Sequence, residues 1–86
     1  MDITALTGKN VLVRTVTNYY TGKLLSCDGF LHLEEAAWIA DTGRFADALR
    51  TGKLNEVEPY PADCWVAVGS VVDVSEWQHE LPRTQK

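Results

Sequence analysis

Apolar and polar residues alternate over short runs along this chain, with turn residues at close spacing, and this pattern predicts a small all-β protein. Residues 20–33 are the clearest case: an apolar-rich run, a break at Asp28-Gly29 and a second run from Phe30. An Asp-Gly pair between two such runs favours a tight hairpin, because glycine readily adopts the positive φ that the turn requires. Within the first run, Gly22 is expected to let the backbone bend.

The whole chain is predicted to form a short N-terminal helix followed by five strands. The helix covers residues 3–7, with Asp2 as its cap. The strands are rich in β-branched and apolar residues and cover residues 9–16, 19–27, 30–40, 64–68 and 71–77. Polar or glycine-containing pairs, Thr17-Asn18 and Gly69-Ser70, supply two of the turns. Short strands at this spacing, with an interior bend, indicate a small curled barrel.

The segment 41–63 departs from the strand pattern. Thr42 is in position to cap a helix over residues 43–50, in which Phe45 and Leu49 lie four residues apart on one face. We expect this segment to project from the barrel as a variable excursion, with the Phe45 and Leu49 side chains covering the barrel or a neighbouring subunit.

The chain also contains two prolines late in the segment 41–63 and a polar C-terminal tail. Pro59 and Pro61 cannot donate to a sheet ladder, so any strand near them is expected at an edge or a bulge. The tail, residues 78–86, is polar and is expected to fray.

The length and net charge of the chain limit the classes of protein to which it can belong. At 86 residues the chain fits a single domain over residues 1–86. Eight Lys and Arg against 12 Asp and Glu give a formal net charge of −4, which argues against a protein held to nucleic acid by bulk electrostatics, because that binding depends on basic side chains. A local base-stacking site is still compatible with this charge. The three tryptophans are most simply interpreted as core or interface residues.

Neither a targeting segment nor a membrane-spanning run is apparent, so we expect a soluble cytoplasmic protein. Cys27 and Cys64 belong to no C-x-x-C pair and are interpreted as free thiols of a reducing compartment. No catalytic constellation and no metal-ligand set is found, since His32 and Glu34 together are too few ligands. We therefore expect a protein that is not an enzyme and has no cofactor.

A set of spaced residues resembles the first signature of the Sm and Sm-like proteins. It comprises Leu6, Gly8-Lys9, Val11, Val13, Gly22-x-Leu24 and Asp28, six residues after Gly22. The apolar strands on either side of Gly69 resemble the second signature of that family. The resemblance extends over about residues 3–77 and implies an N-terminal helix on a five-stranded, strongly bent antiparallel barrel of the SH3-like Sm fold.

The resemblance also implies a function. Proteins of this family form rings and bind single-stranded RNA near the central pore. We expect the fourth strand of one subunit to pair with the fifth of the next, because residues 64–77 contain no Lys, Arg or Pro to protect a free edge. On this chain the implied RNA-binding residues are Phe30, His32, Gly69 and Ser70. Gly22 and Asp28 correspond to structural positions of the motif, one for curvature and one for the turn.

Two positions depart from the family pattern. His32 stands where the family has Asn, and Val68 stands where it has the Arg that precedes the glycine. The loss of that cation leads us to expect weak RNA binding at best. The alternative is a ring that serves as a structural or protein-interaction module and has lost its RNA site.

Overall fold

A computed structural model of the chain describes residues 3–86, and within them six antiparallel strands form one sheet. The elements in chain order are β1 (Asn10–Thr15), β2 (Tyr19–Cys27), β3 (Phe30–Asp41), α1 (Phe45–Thr51), β4 (Glu56–Pro59), β5 (Cys64–Ala67) and β6 (Val71–Glu76). The strand order is β4-β3-β2-β1-β6, and β5 pairs with the first residues of β3. The predicted Asp2 cap lies outside the described residues.

The expected closed barrel is wrong, because the sheet of residues 3–86 is open. β5 pairs with β3 and β6 pairs with β1, but β5 and β6 do not pair with each other. They are joined by a 3-10 turn, Val68–Ser70, whose ends are held elsewhere: the Val68 amide donates to the Gly29 carbonyl at 3.0 Å and the Val16 amide to the Ser70 carbonyl at 3.2 Å. These bonds to separate hairpins keep the two strands apart.

The N-terminal α-helix and the count of five strands are also wrong. A 3-10 turn of four residues, Ile3–Leu6, occupies the place of the expected helix. The sixth strand is β4, which arises because the segment after α1 returns to pair with the second half of β3. The segment 41–63 therefore completes the sheet instead of projecting from it. As its prolines indicate, β4 is an edge strand that ends at Pro59.

The β2–β3 hairpin is the centre of the sheet, as the sequence predicts. β2 ends at Cys27, β3 begins at Phe30, and Gly29 between them has φ of 75°. Between Thr21 and Lys23 the partner on β3 moves by three residues, from Ala37 to Glu34. β3 thus carries an extra residue here, which bends the strand.

Gly22 faces this irregular part of β3 at very short range. A Cβ atom at position 22 would lie 2.9 Å from the Leu33 Cβ and 3.3 Å from the Glu34 carbonyl oxygen. Glu35, beside it, has φ of 52°, a value that non-glycine residues adopt uncommonly. The close approach of the two strands at the bend therefore requires glycine at this position.

Both faces of the sheet are covered. On β1, Val11 and Val13 pack into one buried cluster with residues of β2, β3 and β5, whereas Leu12 packs on the opposite face. The second cluster consists of Leu12, Ala37, Ile39, Ala48, Leu54, Val57 and Trp77. Phe45 and Leu49 of α1 pack against it, as expected of them, and the Phe45 ring stacks on Tyr19 with centroids 5.7 Å apart.

Two local expectations around α1 and the tail are wrong. The helix starts after Arg44 without a side-chain cap, and the Thr42 hydroxyl donates instead to the Gly43 carbonyl. The tail is docked, since the Lys86 amide donates to the Val57 carbonyl at 3.0 Å and the Arg83 guanidinium to the Ala36 carbonyl at 2.7 Å. Both donors, the Lys86 backbone amide and the Arg83 side chain, find carbonyl acceptors on the sheet, so the polar tail does not fray.

Candidate functional site

Phe30 and the turn Val68–Ser70 lie at the same end of the sheet. Phe30 begins β3 opposite Ala67, the last residue of β5, and the turn follows directly. The Phe30 side chain is 52% exposed. Gly69 is exposed, and a Cβ atom placed on it would meet nothing within 4 Å. The resemblance therefore grouped residues that are neighbours in space.

His32 lies two residues further along β3 and is directed to other partners. It is opposite Trp65 on β5, and the two rings stack with centroids 4.4 Å apart and planes 14° from parallel. Its Nε2 lies 2.8 Å from the Asp63 Oδ2. Both the ring face and the Nε2 atom of His32 are thus engaged within the chain.

Together, Phe30, His32, Asp63 and Trp65 form what we call the β3–β5 outer surface. Leu31 and Leu33 alternate with the first two of these residues and are buried, so Phe30 and His32 share the outer face. Trp65 is 57% exposed. The surface offers aromatic faces for stacking, but the Asp63 carboxylate places negative charge beside His32, where a phosphate would be repelled.

The remaining predicted residues have mainly internal roles. The Ser70 hydroxyl donates to the Ala67 carbonyl at 2.8 Å, so it is committed to its own turn. Asp28 is exposed in the hairpin turn, where its backbone amide donates to the Phe30 carbonyl at 3.1 Å. Its carboxylate makes no hydrogen bond with another of residues 3–86.

A second feature lies where the sheet remains open. An apolar cavity of about 220 Å³ lies beside β6 and the turn Val68–Ser70, and it is lined by Ile3, Cys27, Leu31, Val68, Val71, Val72, Asp73 and Val74. Val68 and Val72 on its rim are 43% and 55% exposed. Asp73 accepts a hydrogen bond from the Arg14 Nε at 3.1 Å through its Oδ2 atom. This ion pair raises the pKa of the Arg14 guanidinium above its ordinary value, through the hydrogen bond first and the opposite charge second.

The other oxygen of Asp73 is unsatisfied. Asp73 Oδ1 is buried and has no hydrogen-bond partner within the described part of the chain. Buried polar atoms are nearly always hydrogen-bonded. Asp73 Oδ1 is therefore an exception to this rule within the described residues.

The sequence did not identify Trp65 or Asp63 as parts of this site. From the sequence, Trp65 is interpreted as a core or interface residue, although it alternates with Cys64 and Val66, which are buried. That alternation was ambiguous, because all three residues are apolar. The contact between His32 and Asp63 joins residues 31 positions apart, and nothing in the local pattern could indicate it.

The comparisons with known proteins found no match. No family model matches this chain, and neither does any curated protein. Membership of the Sm-like family therefore stays a prediction.

Among residues 3–86 no helix has the length and apolar character needed to cross a membrane. In the same range, no three side chains of His, Cys, Asp or Glu are grouped so that they could hold a metal ion.

Proposed function

We propose that this protein is a self-assembling β-sheet module whose copies pair head to tail, β5 of one copy with β6 of the next, to close a ring. The observation that carries the proposal is the pair of free edges. Within residues 3–86, β5 has a partner only on its β3 side and β6 only on its β1 side. Strand edges present unpaired N–H and C=O groups and are templates for pairing with another chain.

The side chains at these edges favour a protein partner over water. Trp65 and Val72, one on each strand, are 57% and 55% exposed, and Val68 in the connecting turn is 43% exposed. Neither strand contains Lys, Arg or Pro, the residues that commonly protect an edge. Pairing between two copies would place Val72 of one copy beside β5 of the next and so remove part of this apolar surface from water.

Strand lengths are compatible with this pairing. β5 contains four residues. Arg14 on β1 is opposite Asp73, and the next residue, Thr15, is opposite Val71. Val72 therefore has no partner on β1 and is an extra, bulged residue of β6. The regular part of β6 thus runs over residues 73–76, which matches the four residues of β5. A head-to-tail contact uses two different surfaces and closes a ring where the rotation per subunit allows.

Substitution of Val72 by Lys tests the assembly. The added ammonium group would be placed at the proposed contact, and we expect the oligomer of the wild-type protein to dissociate at least tenfold more readily. Ala40→Lys is the matched control, because Ala40 is also exposed but lies in the half of β3 that pairs with β4, away from β5 and β6. Sedimentation velocity at micromolar concentrations measures the masses. A wild-type protein that is monomeric there would contradict the proposal.

The β3–β5 outer surface supports a second function, weak binding of single-stranded RNA. Base stacking needs an aromatic face and tolerates any base. Phe30 and Trp65 supply exposed rings, and the His32 ring extends the Trp65 stack. The acidic balance and Asp63 contribute no attraction for phosphate, so affinity would come from several identical sites acting on one strand.

We expect Phe30→Ala to abolish most RNA binding, because a stacked base contributes roughly 1–3 kcal/mol, and Val68→Arg to strengthen it by restoring a cation. Fluorescence anisotropy with labelled oligouridine at two salt concentrations measures both effects. Val16→Ala is the control outside the surface. If Phe30→Ala binds RNA as well as wild type, the protein is the structural ring of the alternative hypothesis.

The same proposal includes membership of the Sm-like family, which the signature residues support, and a cytoplasmic location. The location is supported by Cys27 and Cys64, both of which are free thiols, as is usual in a reducing compartment.

A further inference from the structure

A second concave site lies on the other half of the sheet, away from the β5 and β6 edges. The cavity has a volume of about 360 Å³, within the range of small-molecule sites. It is lined by Asn18, Tyr20, Trp38, Glu58, Pro59, Tyr60 and Pro61. Three aromatic rings and two proline rings thus surround a single ionisable carboxylate.

The sheet itself places these side chains together. Tyr20 on β2 is opposite Trp38 on β3, and Trp38 is opposite Glu58 on β4. Residues directly opposite each other in antiparallel strands project to the same face, so the three form one row across the sheet. Trp38 remains 39% exposed, which leaves part of its surface open to a ligand.

Tyr60 forms a second wall above this row. Its ring centroid is 6.4 Å from that of Tyr20, with the planes tilted by 39°. Its backbone is anchored on both sides: the Tyr60 amide donates to the Ala36 carbonyl at 2.8 Å, and the Tyr60 carbonyl accepts from the Arg83 guanidinium at 3.0 Å. Burial raises the pKa of the Tyr60 phenol to about 12, so the ring is neutral at physiological pH.

The charge of the cavity is negative. None of its lining residues is Lys, Arg or His. Within residues 3–86 the Glu58 carboxylate forms no ion pair, and its one side-chain partner is the neutral amide of Gln85, with Nε2 at 3.4 Å from Oε1. The carboxylate is therefore available to a cation that enters the cavity.

We infer that this cavity binds a methylated ammonium group, such as the quaternary ammonium of choline or of trimethyl-lysine. Such a cation is attracted to the faces of Trp and Tyr within about 6 Å of the ring centroid and is weakly hydrated, so an apolar pocket costs it little. Glu58 supplies the opposite charge. A proline-rich peptide could also stack on aromatic rings, but it would make no use of the carboxylate. This inference is independent of the proposed ring and of RNA binding.

Calorimetry and NMR with choline as the probe test the inference. The matched probe is 3,3-dimethylbutanol, which has the same shape without the charge. We expect choline to bind with a dissociation constant of about 1 mM and to shift the Trp38 indole resonance. The neutral alcohol should bind at least tenfold more weakly.

Four variants locate the site. Trp38→Ala and Glu58→Gln should each weaken choline binding about tenfold, while Glu56→Gln, which removes an exposed carboxylate of the same strand outside the cavity, should leave it unchanged. Circular dichroism confirms that each variant is folded, and Trp38→Phe, which keeps an aromatic face, should retain part of the affinity. The inference is overturned if choline does not bind, if the neutral alcohol binds equally well, or if only a proline-rich peptide binds.

Discussion

At the scale of single residues, the bend of the sheet depends on one missing side chain. Gly22 lies opposite the bulge of β3, and a Cβ atom there would approach the Leu33 Cβ to 2.9 Å and the Ala36 Cα to 3.4 Å. Neither Leu33 nor Ala36 can move freely, since both are fully buried. The backbone would have to separate at the point where β2 and β3 are closest.

We therefore predict that Gly22→Ala destabilises the protein by about 1–3 kcal/mol, the usual cost of added volume in a packed core. Gly69→Ala is the control, because a Cβ atom there meets nothing within 4 Å and a surface change of this kind alters stability by less than about 0.5 kcal/mol. Urea denaturation followed by circular dichroism measures both. Equal stabilities of the two variants would contradict the steric argument.

His32 shows how a residue with binding chemistry can be occupied by its own chain. Its ring stacks on Trp65, and its Nε2 atom contacts Asp63. The sequence shows the imidazole but not these partners. A role for His32 in RNA binding would require a nucleotide to compete with both, which leaves Phe30 as the more accessible stacking residue.

At the scale of elements, α1 is a cover for the sheet. Ala48 is buried against the cluster that contains Leu12 and Trp77, whereas Ala46 on the same helix is exposed. The helix ends at Gly52, which has φ of 79° and whose amide donates to the Ala48 carbonyl. The spacing of Phe45 and Leu49 predicts an amphipathic helix. The sequence does not indicate which face of the sheet this helix covers.

Substitution of Ala48 by Asp should therefore destabilise the protein by about 3 kcal/mol or more, since an unpaired charge would be buried. Ala46→Asp introduces the same group on the exposed side, in the first turn of the helix, where a negative charge is favourable. Thermal denaturation compares the pair. Similar melting temperatures would show that α1 does not hold this face of the sheet.

At the scale of the whole molecule, the C-terminal tail protects one sheet edge while others stay open. The Lys86 backbone pairs with Val57 in both directions, at 3.0 and 3.3 Å, and the Lys86 ammonium donates to the Leu54 carbonyl at 2.7 Å. β4 is thereby covered over part of its length. This asymmetry is consistent with assembly through β5 and β6 alone.

Removal of residues 83–86 should expose the β4 edge. We predict a loss of about 2 kcal/mol or more in stability, since several hydrogen bonds of about 1 kcal/mol each disappear, and faster hydrogen exchange at the Val57 amide. Amides of β1 in the middle of the sheet are the internal control and should keep their protection. Unchanged exchange at Val57 would show that the tail is not docked in solution.

The sequence by itself determined those features that depend on neighbouring residues. The β2–β3 hairpin follows from Asp28-Gly29, because a tight turn needs a positive φ that glycine adopts easily. The bounds of β1, β2 and β3 and the position of α1 follow from local periodicity in the same way. The edge character of β4 follows from Pro59, which has no N–H to donate.

The tertiary structure alone decided how these elements meet. The sheet is open because the turn Val68–Ser70 is bound to two separate hairpins, and the tail is ordered because Arg83 reaches the Ala36 carbonyl 47 residues away. The row of Tyr20, Trp38 and Glu58 exists only through strand register. Such contacts join residues far apart in the chain, and their free energy depends on the packing of every element between them. They therefore cannot be predicted from the local pattern of residues.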